Sequence, residues 1–392
     1  MDIPAKPPFL HRPVTWALLA LAVALRLAMV PNQSWDYIGF LKPWYDHIQA
    51  TGGLRALATG FADYTPPYLY WLTVAATGLA DLPPLLSIKL FGMATDFLLA
   101  SYVYRLLRLP DLAPEIHARA EAGFWAALFL PTVMLNSALW GQCDGIYTTG
   151  VLAFVYNLCR HRFLRACLWF GIAFAFKLQT IFMAPLLCLA LLHPRCPKAG
   201  VLLVPLTYLA LVLPAWAVGR PMAELLLIYV RQAESYPDLA HHTPNLYQWV
   251  PDSLYWPVMP IGVAGAAFLA MMVMALVWRG RSTRISGLRS QDWLLLAFFF
   301  AFFAPFALPK MHERYFYMAE VLCLIHVLIY PRDRLWVGIL QICTLIGYLG
   351  GDLSPLLRFA GLANAGVMIL LVRNHLAPLL AATRPEGTRS RA

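Results

Sequence analysis

The sequence predicts an all-α polytopic membrane protein, one integral membrane domain over residues 1–392 with about twelve transmembrane helices. Three observations predict it. The composition is 60% hydrophobic and 13% charged, whereas soluble domains carry about a quarter charged residues. The apolar stretches are continuous instead of alternating, which suits helices and not the strands of a membrane barrel. Arginine clusters recur between the stretches on alternate loops, the pattern of cytoplasmic loops. A mean hydropathy of +0.62 and 13 Trp with 18 Tyr fit helices ringed by interfacial aromatic residues.

Taken in order, apolar runs predict helices at 14–30, 84–107, 122–138, 146–160, 164–176, 180–193, 199–217, 258–279, 291–307, 315–330, 335–350 and 357–373. Between the first two, Tyr37–Ala50 reads as a helix. Pro66–Ala80, opened by Pro-Pro, reads as an interfacial or re-entrant helix because it is too short to span. The first extracytoplasmic loop is then 31–83, within a catalytic-type module 1–193. A variable helical module 199–392 carries the longest outer loop, 219–257. The stretch Met1–Pro13 carries Lys6 and Arg12 without a small-residue cleavage site, so no cleavable signal is expected.

Orientation follows from the arginines. Arg105/Arg108/Arg119, Arg160/Arg162/Arg165, Arg195/Lys198, Arg279/Arg281/Arg284/Arg289, Arg332/Arg334 and Arg384/Arg389/Arg391 are expected in the cytoplasm. Of the six Lys, Lys42, Lys89, Lys177 and Lys310 fall against this bias at the outer face. Each either snorkels to headgroups or serves a site. Net charge of +10 is spread over loops with no continuous basic groove, so nucleic acid is not expected as a partner. The seven Cys show neither a disulfide framework nor a CxxC metal pattern. No GxGxxG, P-loop, GxSxG or HExxH occurs, which argues against nucleotide cofactors and zinc hydrolysis.

Short polar motifs at the outer edges of the runs carry the chemistry. Asp36, in Ser34-Trp35-Asp36-Tyr37, has the setting of a general base: facing water, yet near an interface that raises a carboxylate's proton affinity. Its structural alternative is to cap the following helix. Asp63-Tyr64-Thr65-Pro66-Pro67 offers either a helix cap or a second acidic wall. Trp140-Gly141-Gln142-Cys143-Asp144 offers hydrogen bonds from Gln142 and Asp144 in a tight turn, or a simple cap. The helices at 164–193 are too short to cross fully, so Phe176-Lys177-Leu178-Gln179 would sit below the outer surface, placing Lys177 within reach of a lipid phosphate. Lys310-Met311-His312-Glu313-Arg314-Tyr315 suits phosphate binding by Lys310, His312 and Arg314, with Glu313 bracing Arg314. In the 219–257 loop, Asn245, Tyr247 and Trp249 suit contact with sugar or acceptor. His241-His242 lacks a third metal ligand at a defined spacing.

This ordered set resembles the GT-C glycosyltransferases, in particular the ALG-type glucosyltransferases and the glycosylphosphatidylinositol-mannosyltransferase-like bacterial proteins. The resemblance rests on Asp36, Asp63-Tyr64-x-Pro66-Pro67, Trp140-Gly141-Gln142-x-Asp144, Lys177-x-Gln179, Lys310-x-His312-Glu313-Arg314-Tyr315 and Pro244-Asn245-Leu246-Tyr247-Gln248-Trp249. Where many relatives have Asp-Tyr-Pro-Pro, this chain inserts Thr65. The resemblance implies interfacial helices in the first outer loop and an inverting hexosyl transfer, mannosyl- or glucosyltransferase-like, from a polyprenyl-phosphate-linked donor. It implies Asp36 as base, a glycan or glycolipid acceptor, no cofactor and no metal, and a bacterial inner membrane with the site on the extracytoplasmic side. The competing reading is a transporter or flippase of a lipid-linked or anionic substrate, against which stand the one-sided polar groups and the lack of an internal repeat.

Overall fold

The computed structural model describes residues 12–234, 238–279 and 285–381. Arg281, Arg284, Arg384, Arg389 and Arg391, expected in cytoplasmic segments, and the proposed start at Met1–Pro13 up to residue 11 lie outside the described residues. The structure is 82% helical, so the all-α reading holds, and each apolar run is helical.

Helix α1 (Pro13–Met29) leads through a polar turn into a π-helical segment, Tyr37–Leu41, continuous with α2 (Lys42–Thr51). Helix α3 (Pro66–Thr73) has Pro66 at its first position, where the fixed φ suits a helix start, and runs on through the π segment Val74–Gly78. Helices α2 and α3 share a core of Trp44, Tyr45, Ile48, Leu69 and Leu72, separate from the main one. Then come α4 (Pro84–Leu107), α5 (Pro114–Ala118), α6 (Ala120–Leu128) and α7 (Pro131–Met134), the last continued by the π segment Leu135–Trp140. The expected run 122–138 is therefore broken. It bends by 45° before Pro131, whose missing N–H and bulky ring stop the α6 ladder.

Helices α8 (Asp144–Cys159) and α9 (Phe163–Phe176) pack closely because Gly150 lacks a side chain; a Cβ there would sit 2.9 Å from the Cβ of Ala173. Small residues at such contacts are the usual route to tight helix association in membranes. Beyond the 3-10 turn Leu178–Met183 follow α10 (Ala184–Leu192), α11 (Leu203–Ala217) and α12 (Met222–Glu234). Helix α12 corrects the reading of 219–257 as an open loop: Leu225 and Ile228 are buried while Leu226, Leu227 and Val230 are exposed, an amphipathic helix with one apolar side packed inward. The chain continues with α13 (Tyr255–Trp278), α14 (Ser290–Ala307), α15 (Tyr317–Ile329), α16 (Arg334–Leu349) and α17 (Leu357–Leu371), which runs through the π segment Val372–Leu376 into α18 (Ala377–Ala381).

The expected twelve full spans are not found among the described residues. Five helices are long and apolar enough to cross a membrane (Pro84–Leu107, Lys198–Ala217, Asp252–Trp278, Ser290–Ala307 and Leu353–Ala381), and the bent α6–α7 pair makes a sixth. The remaining runs fold as shorter helices: α1 has 17 residues, about 25 Å of rise against a hydrocarbon core of about 30 Å. Helix α14 is central, 83% buried in its apolar window, and contributes Phe298, Phe299, Phe300, Phe302 and Phe306 to the core. Helix α13 is peripheral, only 17% buried, and presents Ile261, Phe268, Met271 and Trp278 outward.

One buried ion pair ties the first helices together. Arg26 Nε donates to Asp96 Oδ2 at 2.8 Å, and a second guanidinium nitrogen donates to the Leu128 carbonyl at 2.8 Å. Ser137 Oγ donates to the same Asp96 oxygen at 2.6 Å. Buried charges persist in this setting only when paired and hydrogen-bonded; here the cluster links α1, α4, α6 and the Leu135–Trp140 segment, whose far end enters the site.

Candidate functional site

One cavity of about 1220 Å³ takes in Asp36, Asp63, Tyr64, Gln142, Lys177, Gln179, Lys310, His312, Glu313 and Arg314. These residues come from five separated stretches of sequence. Several helices put one end into the cavity wall and arginine near the other: α9 runs from Arg162 to Lys177, α14 from Arg289 to Leu308, α16 from Arg334 to Leu349, and α13 from Met259 to Arg279. The molecule is thus polar along its helix axes, with the cavity opposite the arginine-rich end.

Asp36 does not cap its helix. Ser34 does so instead, its Oγ accepting from the Tyr37 N–H at 3.1 Å and donating to the Trp140 carbonyl at 2.7 Å. The Asp36 carboxylate is left to face Arg314, whose Nη1 lies 3.8 Å from Oδ2. Arg314 Nε donates to Glu313 Oε1 at 3.1 Å, the bracing expected of Glu313. Burial opposes charge on Arg314, but Asp36 and Glu313 together outweigh it and hold the guanidinium well above its ordinary pKa. Its Nη1 is buried and has no hydrogen-bond partner. A buried donor with no acceptor is uncommon in folded proteins and calls for a ligand or an ordered water.

His312 is brought to the cavity by a two-residue parallel pairing, Ala240 with Met311 and His241 with His312. The pairing is framed by the Lys310 N–H donating to the Leu239 carbonyl at 2.7 Å and by Thr243 Oγ1 donating to the Met311 carbonyl at 2.6 Å. Lys310 adopts φ 64°, unusual for a residue with a side chain, and its Nζ lies 5.9 Å from the Tyr255 ring centre. Burial, reinforced by the charges of Arg314, Lys177 and Lys310, lowers the His312 pKa to about 3. The imidazole is neutral near pH 7 and has one N–H to give. The pairing also gathers ligand atoms of His241, His312 and Glu313 within 4.8 Å of one another, supplying the further metal-type donors that sequence spacing alone did not show.

Lys177 is not free. Its Nζ donates to Asp144 Oδ1 at 2.5 Å, and lies 5.9 Å and 5.8 Å from the ring centres of Tyr64 and Tyr147. Asp144 is fully buried and also accepts from Asn136 Nδ2 at 2.8 Å. It pairs with Lys177, and no side-chain cap of α8 is made. Tyr64 donates to Gln142 Oε1 at 2.9 Å; burial raises its pKa well above normal, so the phenol keeps its proton. Gly141 turns the chain with φ 75°, a conformation glycine takes without strain. Asp63 is exposed at the cavity edge, its carbonyl accepting from the Gln232 side chain. Gln179 is buried, with Oε1 unpartnered.

Three expected sugar-binding residues are not brought to the cavity. Asn245 is buried, accepts from the Tyr247 N–H at 3.0 Å and donates to the Pro305 carbonyl at 3.1 Å. Tyr247 donates to the Ala307 carbonyl at 3.0 Å, and Trp249 Nε1 donates to the Arg358 carbonyl at 3.1 Å. This motif fastens the loop to α14 and α17. In return the cavity holds residues that sequence reasoning passed over: Tyr229 and Gln232 on α12, and Tyr348 at the end of α16. The first two become visible once Pro221 is taken as a helix start and the spacing 225, 228, 229, 232 as one face.

Of the two remaining outer lysines, Lys42 makes an exposed i,i+4 pair with Asp46 at 2.7 Å. Lys89 is fully buried and donates to the carbonyls of Val30, Asn32 and Leu139 at 2.9, 2.7 and 2.9 Å. It therefore staples the end of α1 to the Trp140 turn, on either side of the Asp36 loop. Lys89→Met is expected to cost several kcal/mol, because hydrogen bonds to charged groups contribute about 1.5–3 kcal/mol each. Lys42→Met is expected to cost under about 1 kcal/mol, as exposed pairs do. Denaturant or thermal unfolding of the two variants in one detergent checks the contrast; equal melting would show that Lys89 staples nothing.

Comparison of the sequence with protein-family models finds no match, and comparison with curated proteins finds no significant match.

Proposed function

We propose that the chain is an inverting, polyprenyl-phosphate-sugar-dependent glycosyltransferase with the GT-C arrangement, acting at the extracytoplasmic face of a bacterial inner membrane. The observation that carries the reading is the meeting of Asp36 with Arg314, Lys177, Lys310 and His312 in one cavity of about 1220 Å³. A carboxylate beside a cluster of cations suits a reaction that removes a proton at one end and releases a phosphate at the other. Asp36 takes the proton of the acceptor hydroxyl as that oxygen attacks the anomeric carbon. The bond from this carbon to the lipid phosphate oxygen breaks, and its electron pair leaves with the phosphate, whose negative charge Arg314 and Lys310 stabilise. His312, as a neutral donor, gives a hydrogen bond to a phosphate oxygen. In this reading helices α2 and α3 would serve as the interfacial pair of such enzymes, and the shorter apolar helices would supply the spans beyond the five long ones. Arginines at the end opposite the cavity support the sidedness.

The test is direct. Purified protein is incubated with a panel of polyprenyl-phosphate hexoses and a glycan or glycolipid acceptor, with and without chelator, and polyprenyl phosphate release is followed. Release with an acceptor supports the reading. Intact donor throughout, with donor moved between leaflets of proteoliposomes, would favour a transporter.

The unpartnered Nη1 of Arg314 gives a second expectation. Arg314→Ala should weaken binding of a non-hydrolysable polyprenyl-phosphate analogue by about 10- to 100-fold, the value of a charge-assisted hydrogen bond. Turnover should fall as well, because the same group meets charge developing on the leaving phosphate. Arg314→Lys keeps charge without the planar fork and should lie between. Unchanged analogue affinity in a folded Arg314→Ala protein would move the phosphate elsewhere.

A further inference from the structure

We propose that His326, Asp333 and His375 form a binding site for a divalent transition-metal ion, zinc being the simplest occupant, at the end of the molecule away from the cavity. His326 lies in the last turn of α15, nine residues beyond Tyr317, which begins the helix next to Arg314. At about 1.5 Å per residue that places it some 13 Å along the axis from the cavity end. Asp333 closes the 3-10 turn Pro331–Asp333, and His375 belongs to the π segment Val372–Leu376. Three stretches of chain therefore converge on one point.

The convergence is tight. Nε2 of His326 lies 2.9 Å from Asp333 Oδ2, and Nε2 of His375 lies 2.7 Å from the same oxygen. All three donor atoms fall within 4.8 Å of one another. Ligands of a tetrahedral zinc ion, with bonds of about 2.0–2.2 Å, stand roughly 3.4 Å apart, so an ion needs an opening of about half an ångström. Two imidazoles and a carboxylate are the ligand types that zinc and its neighbours favour over calcium or magnesium. The side chains are only 3%, 10% and 13% exposed, so the cluster is largely shielded from bulk water. The rings of Tyr330 and Trp336 pack against His326 at 4.9 and 5.2 Å, and such an apolar wall holds ligands in place. The π segment adds an independent feature. Such bulges are rare and gather at functional positions; of the three others among the described residues, Tyr37–Leu41 and Leu135–Trp140 adjoin the cavity and Val74–Gly78 does not.

The neighbours also set a limit. Arg332, Arg334 and Arg373 flank the ligands in sequence, and their charge lowers affinity for any cation. The bland arrangement is a carboxylate shared by two imidazole N–H donors with no ion. Glutamine separates the two, since its amide still donates to Asp333 but is a poor ligand for zinc. A bound ion would staple α15 and its following turn to the chain after α17, and its signature is stability, independent of glycosyl transfer.

The experiment uses full-length protein purified without a metal-affinity tag and carrying His241→Ala, which removes the other donor cluster. Elemental analysis after zinc exposure and desalting should find about one equivalent per chain. Added zinc should raise the unfolding midpoint and chelator lower it. His326→Gln/His375→Gln should lose both the ion and the response. Should that variant fail to fold, cobalt substitution of the His241→Ala protein reads the same point through the intense visible bands of tetrahedral coordination. An ion-free protein whose melting ignores zinc and chelator, and which shows no cobalt bands, overturns the proposal and leaves a hydrogen-bonded clamp.

Discussion

Asp36→Asn is expected to reduce glycosyl transfer by about 10²–10⁴-fold, the range that a general base contributes, with melting behaviour unchanged. A helix-capping aspartate would cost about 1 kcal/mol on replacement, but the Tyr37 N–H is already satisfied by Ser34 Oγ. Donor affinity should stay within a few-fold or tighten, because the amide no longer competes with the lipid phosphate for Arg314, 3.8 Å away. Ser34→Ala should do the reverse: lower stability through the lost cap and the lost bond to the Trp140 carbonyl, with transfer retained in the folded fraction. Single-turnover transfer, donor-analogue binding and thermal unfolding of both variants separate the roles. More than a tenth of wild-type turnover in Asp36→Asn would remove Asp36 from the chemistry.

The fold class was legible because membrane helices announce themselves by length and apolarity, and the outer motifs because a charge at the edge of an apolar run has few inexpensive places to go. What stayed hidden is relational. Nothing in the sequence says that Lys89 would turn back to three carbonyls while Lys177, 88 positions later, would find Asp144. The Asn245–Trp249 motif looked like a sugar platform because aromatic and amide groups suit sugars. The same groups suit buried carbonyls, and Pro305, Ala307 and Arg358 supply those. Helix α12 was missed because Pro221 and the 225/228/229 face sit in a stretch rich in turn-forming and polar residues. Among the described residues only five helices, or six with the bent pair, are long enough to count as spans, because several of the apolar runs make helices of 13 to 17 residues, shorter than the roughly 20 of a standard span.

Lys177→Met is expected to destabilise the folded protein by about 3–5 kcal/mol, the cost of leaving one member of a buried pair uncompensated. Asp144 is the member left behind. It is fully buried, and its remaining partner, Asn136 at 2.8 Å, offers a hydrogen bond but no charge. Asp144→Asn should be milder: Lys177, 12% exposed at its side chain, borders the cavity and retains access to water. The double variant Lys177→Met/Asp144→Asn removes both charges and should regain most of the lost stability, a coupling that adjacent sites commonly show. Donor binding then decides what the lysine is for. If Lys177 also reaches the lipid phosphate, the double variant melts close to wild type yet binds the polyprenyl-phosphate analogue weakly. Full recovery of both would leave Lys177 a support for the Asp144 turn and place the phosphate with Arg314, Lys310 and His312 alone. Melting of Lys177→Met equal to wild type would deny the pair any part in holding the site together. A buried pair placed against a cavity wall can do both tasks, because the aspartate fixes the direction of a cation whose remaining protons are directed away from it.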